Sequence, residues 1–567
     1  MKRRKFIGSA ALLSGMAATT SLAGFSSVRL FKTDRFHEHK QREYTSDLVI
    51  AGGGLGGCAA ALSALRNNLT VVITEETDWI GGQMTSQGVP PDEHRWIETH
   101  GSTALYREFR NRIRNYYRNN YPLTEDARTR ENLNPGDGAV SRLCAEPRVA
   151  LAALNDMMAP YLSTGKLTIL NEYKISSADT TGDKVHALEA VSQQTGMKII
   201  LRAPYFVDAT ELGDLLPLTG TEFVKGAESR EETGELHAHE KGDPDNHQSF
   251  TVCFAMDYVP ETENLIEKPA EYNFWKNYVP ELIPPWPGRL LDLTYTHPPT
   301  LQPRELGFHP EGTRTGDTLN LWVYRRIINR NNFLQGTYKG DITVVNWPQN
   351  DYMLGNLTDD FDYHFERGKQ LSLSLFYWLQ TEVPRPSGGY GWPGLRLRGD
   401  IMGTKDGMAK YPYVRESRRI KAEFTVLEEH VGAENRAMIT GKKAEIGADF
   451  KDTIGIGYYH IDLHPSSRGI NYIDFPSLPF QIPLGSLLPV RMNNLIPANK
   501  NIGTTHITNG CYRLHPVEWN IGESAGMLVA WSHKNKVIPR EVRNNKKMLA
   551  EFQDFLRSQG IETHWKF

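Results

Sequence analysis

Four apolar residues, Leu48-Val49-Ile50-Ala51, run directly into Gly52-Gly53-Gly54-Leu55-Gly56-Gly57, and an Ala-rich stretch over 58–66 follows. A second apolar run, 69–74, ends on Glu75-Glu76. Short continuous apolar runs bounded by turn residues predict buried strands, and the Ala-rich stretch between them predicts a helix. Over 103–120 the positions Leu105, Phe109, Ile113, Tyr116 and Tyr117 fall near one helical face with arginines on the other, so an amphipathic helix with a solvated charged face is expected there. Residues 146–164 also read as helical. From 166 to 210 apolar and polar residues alternate around Gly182-Asp183 and Thr195-Gly196, which predicts hairpin strands. The last of these, Tyr205-Phe206-Val207, ends on Asp208-Ala209-Thr210. Near the C-terminus, 494–498 leads to Gly503, residues 520–526 open an apolar helix running to Trp531, and 539–560 reads as a charged amphipathic helix.

The intervening span, 216–435, is richer in Pro, Trp and Tyr and is broken by Pro284-Pro285-Trp286-Pro287 and Pro298-Pro299. It is expected to be a mixed α+β substrate domain inserted between two parts of a nucleotide domain, 45–215 and 436–538, with 539–567 as a terminal helical segment.

The first 24 residues have a different character. Lys2-Arg3-Arg4-Lys5-Phe6-Ile7 precedes an apolar, small-residue run that ends in Ser21-Leu22-Ala23-Gly24, the layout of a cleavable export signal. The paired arginines resemble a twin-arginine signal, which carries folded proteins across the membrane. A periplasmic location is expected, with 25–44 as a linker and no later segment long enough to span a membrane.

Composition narrows the function. The 64 Lys and Arg nearly cancel the 67 Asp and Glu, giving a formal net charge of −3. With no clustered cationic footprint, nucleic-acid binding is set aside. The four cysteines, Cys58, Cys144, Cys253 and Cys511, stand far apart, so neither a disulfide framework nor a dithiol centre is encoded.

The glycine run is a GxGxxG in the context that dinucleotide binding needs. Gly52 permits the tight turn, Gly54 lets the backbone approach a diphosphate, and Gly57 allows close helix packing, while the helix N-terminus faces the phosphates. Glu75, 23 residues after Gly52, stands at the strand end where a carboxylate accepts hydrogen bonds from a ribose diol. The same spacing at 389–394 lacks a preceding strand and carries Pro393 where a helix would start, so it is read as a loop. One cradle leaves NAD and FAD open. Three further segments favour FAD: the glycine pair in Trp79-Ile80-Gly81-Gly82-Gln83-Met84, the strand end at Asp208, and the glycine-led stretch at 520–526, whose N–H groups could face a reduced flavin.

With these segments in view, the chain resembles the GR2-type FAD-dependent oxidoreductase family, and more closely a group of exported bacterial members. The resemblance covers nearly all of 45–535 and is most specific at 92–98 (DEHRWIE), 346–352 (NWPQNDY), 413–420 (YVRESRRI) and 504–523 (TTHITNGCYRLHPVEWNIGE). It implies an α/β fold with a Rossmann-like FAD-binding domain, contacts to the diphosphate from Gly52, Gly54, Leu55, Gly56 and Gly57, and to the ribose from Glu75 and Glu76. It places Gly82, Gln83, Met84, Asp208, Ala209 and Thr210 along the FAD and Gly522, Glu523 and Ser524 beside the isoalloxazine. The family's usual aspartate-alanine-threonine-glycine reads Asp208-Ala209-Thr210-Glu211 here, so a side chain replaces a hydrogen at 211.

Flavin chemistry also needs a base for the proton that accompanies the departing hydride, and histidine suits it. His506 and His515 bracket residues 509–513 just ahead of the helix assigned to the flavin. His460-Ile461-Asp462-Leu463-His464 puts three polar groups on one strand face, a cleft wall rather than a metal site. Arg415, within an Arg/Glu cluster that includes Arg418 and Arg419, offers a fork for a carboxylate or an ion-pair lattice between domains. Trp347, Tyr352, Tyr390 and Trp392 are large rings that could stack on sugars but are ordinarily buried. The resulting expectation is an exported FAD-dependent dehydrogenase or oxidase acting on a polar small molecule, a saccharide or amino compound, with His506, His515, His464 and Arg415 as catalytic candidates, no metal, and oxygen, a quinone or an exported carrier as electron acceptor. A flavoprotein-scaffold binding module and a redox-neutral flavoenzyme working through a keto intermediate are the alternatives.

Overall fold

Strand Leu48–Ala51 is buried at every residue because both faces of its sheet are covered. In the computed structural model, which describes residues 42–312 and 318–566, five parallel strands lie in the order Leu495–Pro497, Tyr205–Asp208, Leu48–Ala51, Val71–Glu75, Leu167–Asn171. The export signal and most of the linker expected over 1–44 lie outside the described residues.

Alternate side chains of these strands serve two cores, as a period of two requires. Leu48, Ile50, Ile73 and Val207 pack with the helices, while Val49, Ala51, Val72 and Phe206 pack with Val185, Leu188, Ile199 and Leu201 of a second sheet. That sheet has the order Arg42–Thr45, Lys198–Arg202, Lys184–Ser192, Tyr173–Thr181, and contains the hairpin strands expected between 166 and 210.

On the helical side, helix Leu55–Arg66 lies against helix His515–Asn535. Small residues make this possible. A Cβ on Gly522 would stand 2.0 Å from the Gly56 carbonyl oxygen, and one on Gly526 2.3 Å from that of Ala60. Helix Ala104–Asn120 is capped by Thr103, whose side chain accepts from Tyr106 N, and buries Leu105, Phe109, Ile113 and Tyr117 as its periodicity predicts. Tyr116 is exposed, however, and Arg110 and Arg114, expected on a solvated face, are buried in ion pairs with Glu93 and Glu98.

A third core joins Leu212, Phe250, Trp275, Trp322, Trp347 and Tyr472. Its scaffold is an antiparallel sheet, Arg326–Ile328, Ile342–Val345, Phe254–Tyr258, Leu395–Leu397, crossed by helix Phe361–Thr381. Of the four rings singled out in the sequence, Trp347, Tyr352 and Trp392 are buried and Tyr390 is exposed.

Two element boundaries differ from expectation. The long C-terminal helix opens at His515 rather than at 520, because Pro516 fits its first turn. The terminal segment is two helices, Pro539–Asn544 and Lys546–Ser558, with Asn545 capping the second through N–H groups of Lys547 and Met548. Among the described residues no helix is long and apolar enough to cross a membrane.

Candidate cofactor and substrate site

At the carboxyl ends of the parallel strands, where open α/β sheets bind ligands, the backbone leaves no space for side chains. A Cβ at Gly52 would lie 2.3 Å from the Ala209 carbonyl oxygen, at Gly56 1.8 Å from that of Ala498, and at Gly57 2.2 Å from that of Gly52. Gly52 also has a φ of 93°, which a side chain would strain. Gly54 caps helix Leu55–Arg66 without a side chain and lines a cleft at the positive end of the helix dipole. Gly52, Gly54, Glu75, Glu76, Gly82, Ala209 and Thr210, all expected along the cofactor, line that cleft.

Glu75 stands as the second strand's last residue. Its Oε2 accepts from Gly53 N at 3.0 Å and its Oε1 from Thr77 N at 2.9 Å, while burial pushes its carboxyl up to about 8. Glu76 pairs with Lys174 at 3.1 Å. Asp208 shapes the adjoining turn: its carboxylate accepts from Thr210 N and Leu215 N, and burial raises it to about 7. Thr74, Ser86, Gln87, Tyr173 and Tyr411 complete the wall and were not found in the sequence. Both polar atoms of the Gln87 side chain are buried with no hydrogen-bond partner among the described residues, which leaves them available to a ligand.

The cleft continues inward through a polar chain. Gly81 and Gly82 both have positive φ, which bends the loop so that Gly81 N donates to Gly53 O at 2.7 Å. Gln83 Nε2 donates to Glu518 Oε2 at 2.5 Å and to Arg513 O at 3.1 Å, and Gly56 N reaches Glu518 Oε1 at 3.4 Å. Lys500, fully buried, lies 2.5 Å from Glu211 Oε2 and 3.5 Å from Glu518 Oε2. Burial pulls its ammonium down, but the two carboxylates outweigh that and hold it charged. Leu55 and Met84 are packed in the helical core.

The helix start at His515 changes the environment expected for Gly522, Glu523 and Ser524. They lie within the helix, not at its opening, so their N–H groups are not first-turn donors. Gly522 serves the approach to Gly56, Glu523 accepts from Trp519 Nε1 at 3.0 Å, and Ser524 Oγ donates to Ile454 O at 2.9 Å.

Beyond Arg513 lies a cavity of about 180 Å³ between the cores, walled by Tyr324, Trp347, Tyr459 and Tyr472. His460, Asp462 and His464 all face it, as their alternation on strand Ile461–Leu463 requires. His464 Nδ1 lies 2.5 Å from Asp351 Oδ2, and its Nε2 3.6 Å from Asp462 Oδ2. Asp351 accepts further from Thr251 Oγ1 at 2.6 Å and pairs with Arg415 at 3.0 Å. Burial would raise its carboxyl, but Arg415 and His464 reverse that and hold it below the usual range. Asp351 was not a sequence candidate. His460, Asp462 and Asp474 offer atoms within 4.8 Å of one another. Asp462 is nevertheless engaged by Arg513 at 3.0 Å as well as by His464, which favours an ion-pair wall over a metal site.

The other candidates stand elsewhere. Arg415 lines the cavity, whereas Arg419 pairs with Glu416 and Glu228 and Arg418 with Asp214, a lattice between segments. His506 is buried against Glu416, its Nδ1 at 2.9 Å, and is not part of the cavity wall. His506 and Arg419 hold Glu416 at about 2 against its burial. His515 is fully buried; its Nδ1 accepts from Asp92 N at 3.1 Å, and burial lowers it to about 4, so it is neutral. Glu518, three residues on, is engaged instead by Gly56 N and Gln83 Nε2.

The family model of the FAD dependent oxidoreductases matches residues 47–556. The chain belongs to this family. No curated protein matches it. Among solved structures, E. coli quinol fumarate reductase FrdA is 11% identical over 91% of this chain and 74% of its own, with a TM-score of 0.31. A geranylgeranyl bacteriochlorophyll reductase-like protein from Thermoplasma acidophilum is 10% identical over 92% and 85%, also at 0.31. L-Proline dehydrogenase from P. horikoshii is 16% identical over 34% of this chain and 26% of its own, at 0.17.

The cofactor of the FAD dependent oxidoreductases suits the residues present. The glycines at 52, 54, 56 and 57 give the bare backbone that a diphosphate needs, Glu75 and Glu76 stand at the ribose position, and the unpartnered Gln87 amide lines the same cleft. Helix Leu55–Arg66 touching helix His515–Asn535 at Gly56 and Gly522 brings the two chain segments assigned to the FAD into direct contact.

Proposed function

We propose that this FAD-dependent oxidoreductase is an exported dehydrogenase or oxidase that oxidises a C–H bond of a polar small molecule, a saccharide or an amino compound, held in the cavity beyond Arg513. The observation that carries this reading is His464 on the cavity wall with Asp351 paired behind it, and Arg415 on the far side of the aspartate. FAD supplies the hydride acceptor, at flavin N5. His464 takes the substrate hydroxyl or ammonium proton on Nε2. Asp351 fixes the tautomer by accepting from Nδ1 and stabilises the imidazolium that forms, as a carboxylate does behind a general base. Arg415 keeps Asp351 ionised.

Several features support a hydroxylated substrate. The charges around the cavity come as pairs, Arg325–Asp92, Arg415–Asp351 and Arg513–Asp462, which offer donors beside acceptors rather than one field of a single sign. Aromatic walls complement the apolar faces of a sugar ring. His506 and His515 are excluded as bases by position: the first is tied to Glu416 away from the cavity, and the second is buried and neutral.

The test is anaerobic flavin bleaching with a panel of sugars and amines. Bleaching by a neutral sugar or amine that is lost in His464→Asn while FAD stays bound supports the reading. Equal bleaching by wild type and variant contradicts it. Export rests on residues 2–7, and Arg3→Lys with Arg4→Lys is expected to leave the precursor in the cytoplasm.

A further inference from the structure

The Glu211 side chain reaches over the contact of Gly54 with Gly82. Its Oε1 comes to 2.9 Å of a Cβ placed on Gly54 and 2.8 Å of one placed on Gly82, so it lies where those two side chains would be. That oxygen is buried with no hydrogen-bond partner among the described residues, whereas Oε2 is held by Lys500 at 2.5 Å. A carboxylate oxygen buried without a donor is costly unless something else favours its place. What favours it is the positive end of helix Leu55–Arg66, which begins at Gly54, together with the Lys500 ammonium behind it.

We propose that Glu211 is a resident anion that occupies the diphosphate position in the cofactor-free chain and that FAD must displace. The inference rests on the diphosphate passing over Gly54 and Gly82, whose backbones touch: a Cβ on Gly82 would stand 2.9 Å from Gly54 Cα. A carboxylate and a diphosphate cannot both cover that contact, because like charges at contact distance repel strongly in a partly buried cleft. Binding therefore requires the Glu211 side chain to rotate away from the two glycines, carrying its pairing with Lys500 with it or giving it up. Asn499 Oδ1, 3.0 Å from Lys500 Nζ, and Glu518 remain to hold the ammonium when Glu211 moves. The carboxylate thus stabilises the empty cradle and weakens cofactor binding.

The experiment uses the full chain stripped of flavin, with FAD binding followed by quenching of flavin fluorescence in wild type, Glu211→Gln and Glu211→Gly. The proposal expects Kd for FAD to fall at least tenfold in both variants and Kd for ADP-ribose, which carries the same diphosphate, to fall in parallel. Adenosine, which lacks it, binds all three proteins alike. Cofactor-free Glu211→Gly melts lower than wild type, since the cradle has lost its resident charge. Glu211→Gln keeps the shape and removes only the charge, so it decides the matter should the glycine variant fail to fold. Unchanged or weaker FAD binding in Glu211→Gln overturns the proposal and leaves the FAD reading intact. Failure of wild type to bind either FAD or ADP-ribose removes the cradle itself, and this inference with it.

Discussion

At the scale of single residues the chemistry depends on which histidine meets the cavity. His464→Asn is expected to lower kcat/KM by roughly 10²- to 10⁴-fold, the usual worth of a positioned base, with FAD content unchanged. Asp351→Asn should slow flavin reduction comparably by presenting the wrong tautomer, and stopped-flow absorbance reads both. His515 offers a test of a different kind. Its folded pKa, lowered by burial to about 4, lies below the ordinary 6.5, so above pH 6.5 both folded and unfolded chains hold it neutral and nothing is lost. As pH falls from 6.5 towards 4 the unfolded chain takes up a proton that the folded chain refuses, and stability drops by about 3 kcal/mol over that window. In His515→Asn, which keeps an acceptor for Asp92 N, melting temperature should fall less steeply across the same range. Part of this was legible in sequence: the alternation of His460, Asp462 and His464 announces a shared face. Asp351 was not, because it lies 113 residues from His464 and is brought to it only by the pairing of strand Asp351–Tyr352 with Phe250–Thr251. Lys500, an ordinary surface residue by type, gave no signal of burial between two carboxylates.

At the scale of elements, the decisive contact is helix against helix at the cradle. Gly56→Ala must push a methyl group into the Ala498 carbonyl, and Gly522→Ala one into that of Gly56. Each is expected to cost upwards of about 3 kcal/mol, since backbone on the far side cannot yield as a side chain would, and each should lower both the melting temperature and FAD occupancy. The strand–glycine–helix–strand order could be read directly, because burial on both faces writes continuous apolar runs and the cradle demands glycines at fixed spacing. The opening of the C-terminal helix could not be placed by the same logic. Its glycines at 522 and 526 suggested a helix start with N–H groups facing a flavin, yet they serve close packing inside a helix, and the true signal was Pro516 at the first turn.

At the scale of the whole molecule, a cleft at the ends of the parallel strands and a cavity between two cores lie on either side of Gln83, which donates to both Glu518 and the Arg513 carbonyl. An elongated dinucleotide held at the helix start would have to extend past these residues to reach the cavity. Near-zero net charge and scattered cysteines were enough to dismiss nucleic acid and dithiol chemistry, but composition says nothing of which small molecule fills the cavity, since that depends on ion pairs assembled from distant segments. The central claim is one FAD per chain. Its most direct test is the mass and stoichiometry of the flavin carried by purified protein after incubation with FAD, whether released on denaturation or retained on the chain. The account predicts FAD at one equivalent; FMN, or a chain that takes up no flavin at all, would contradict it.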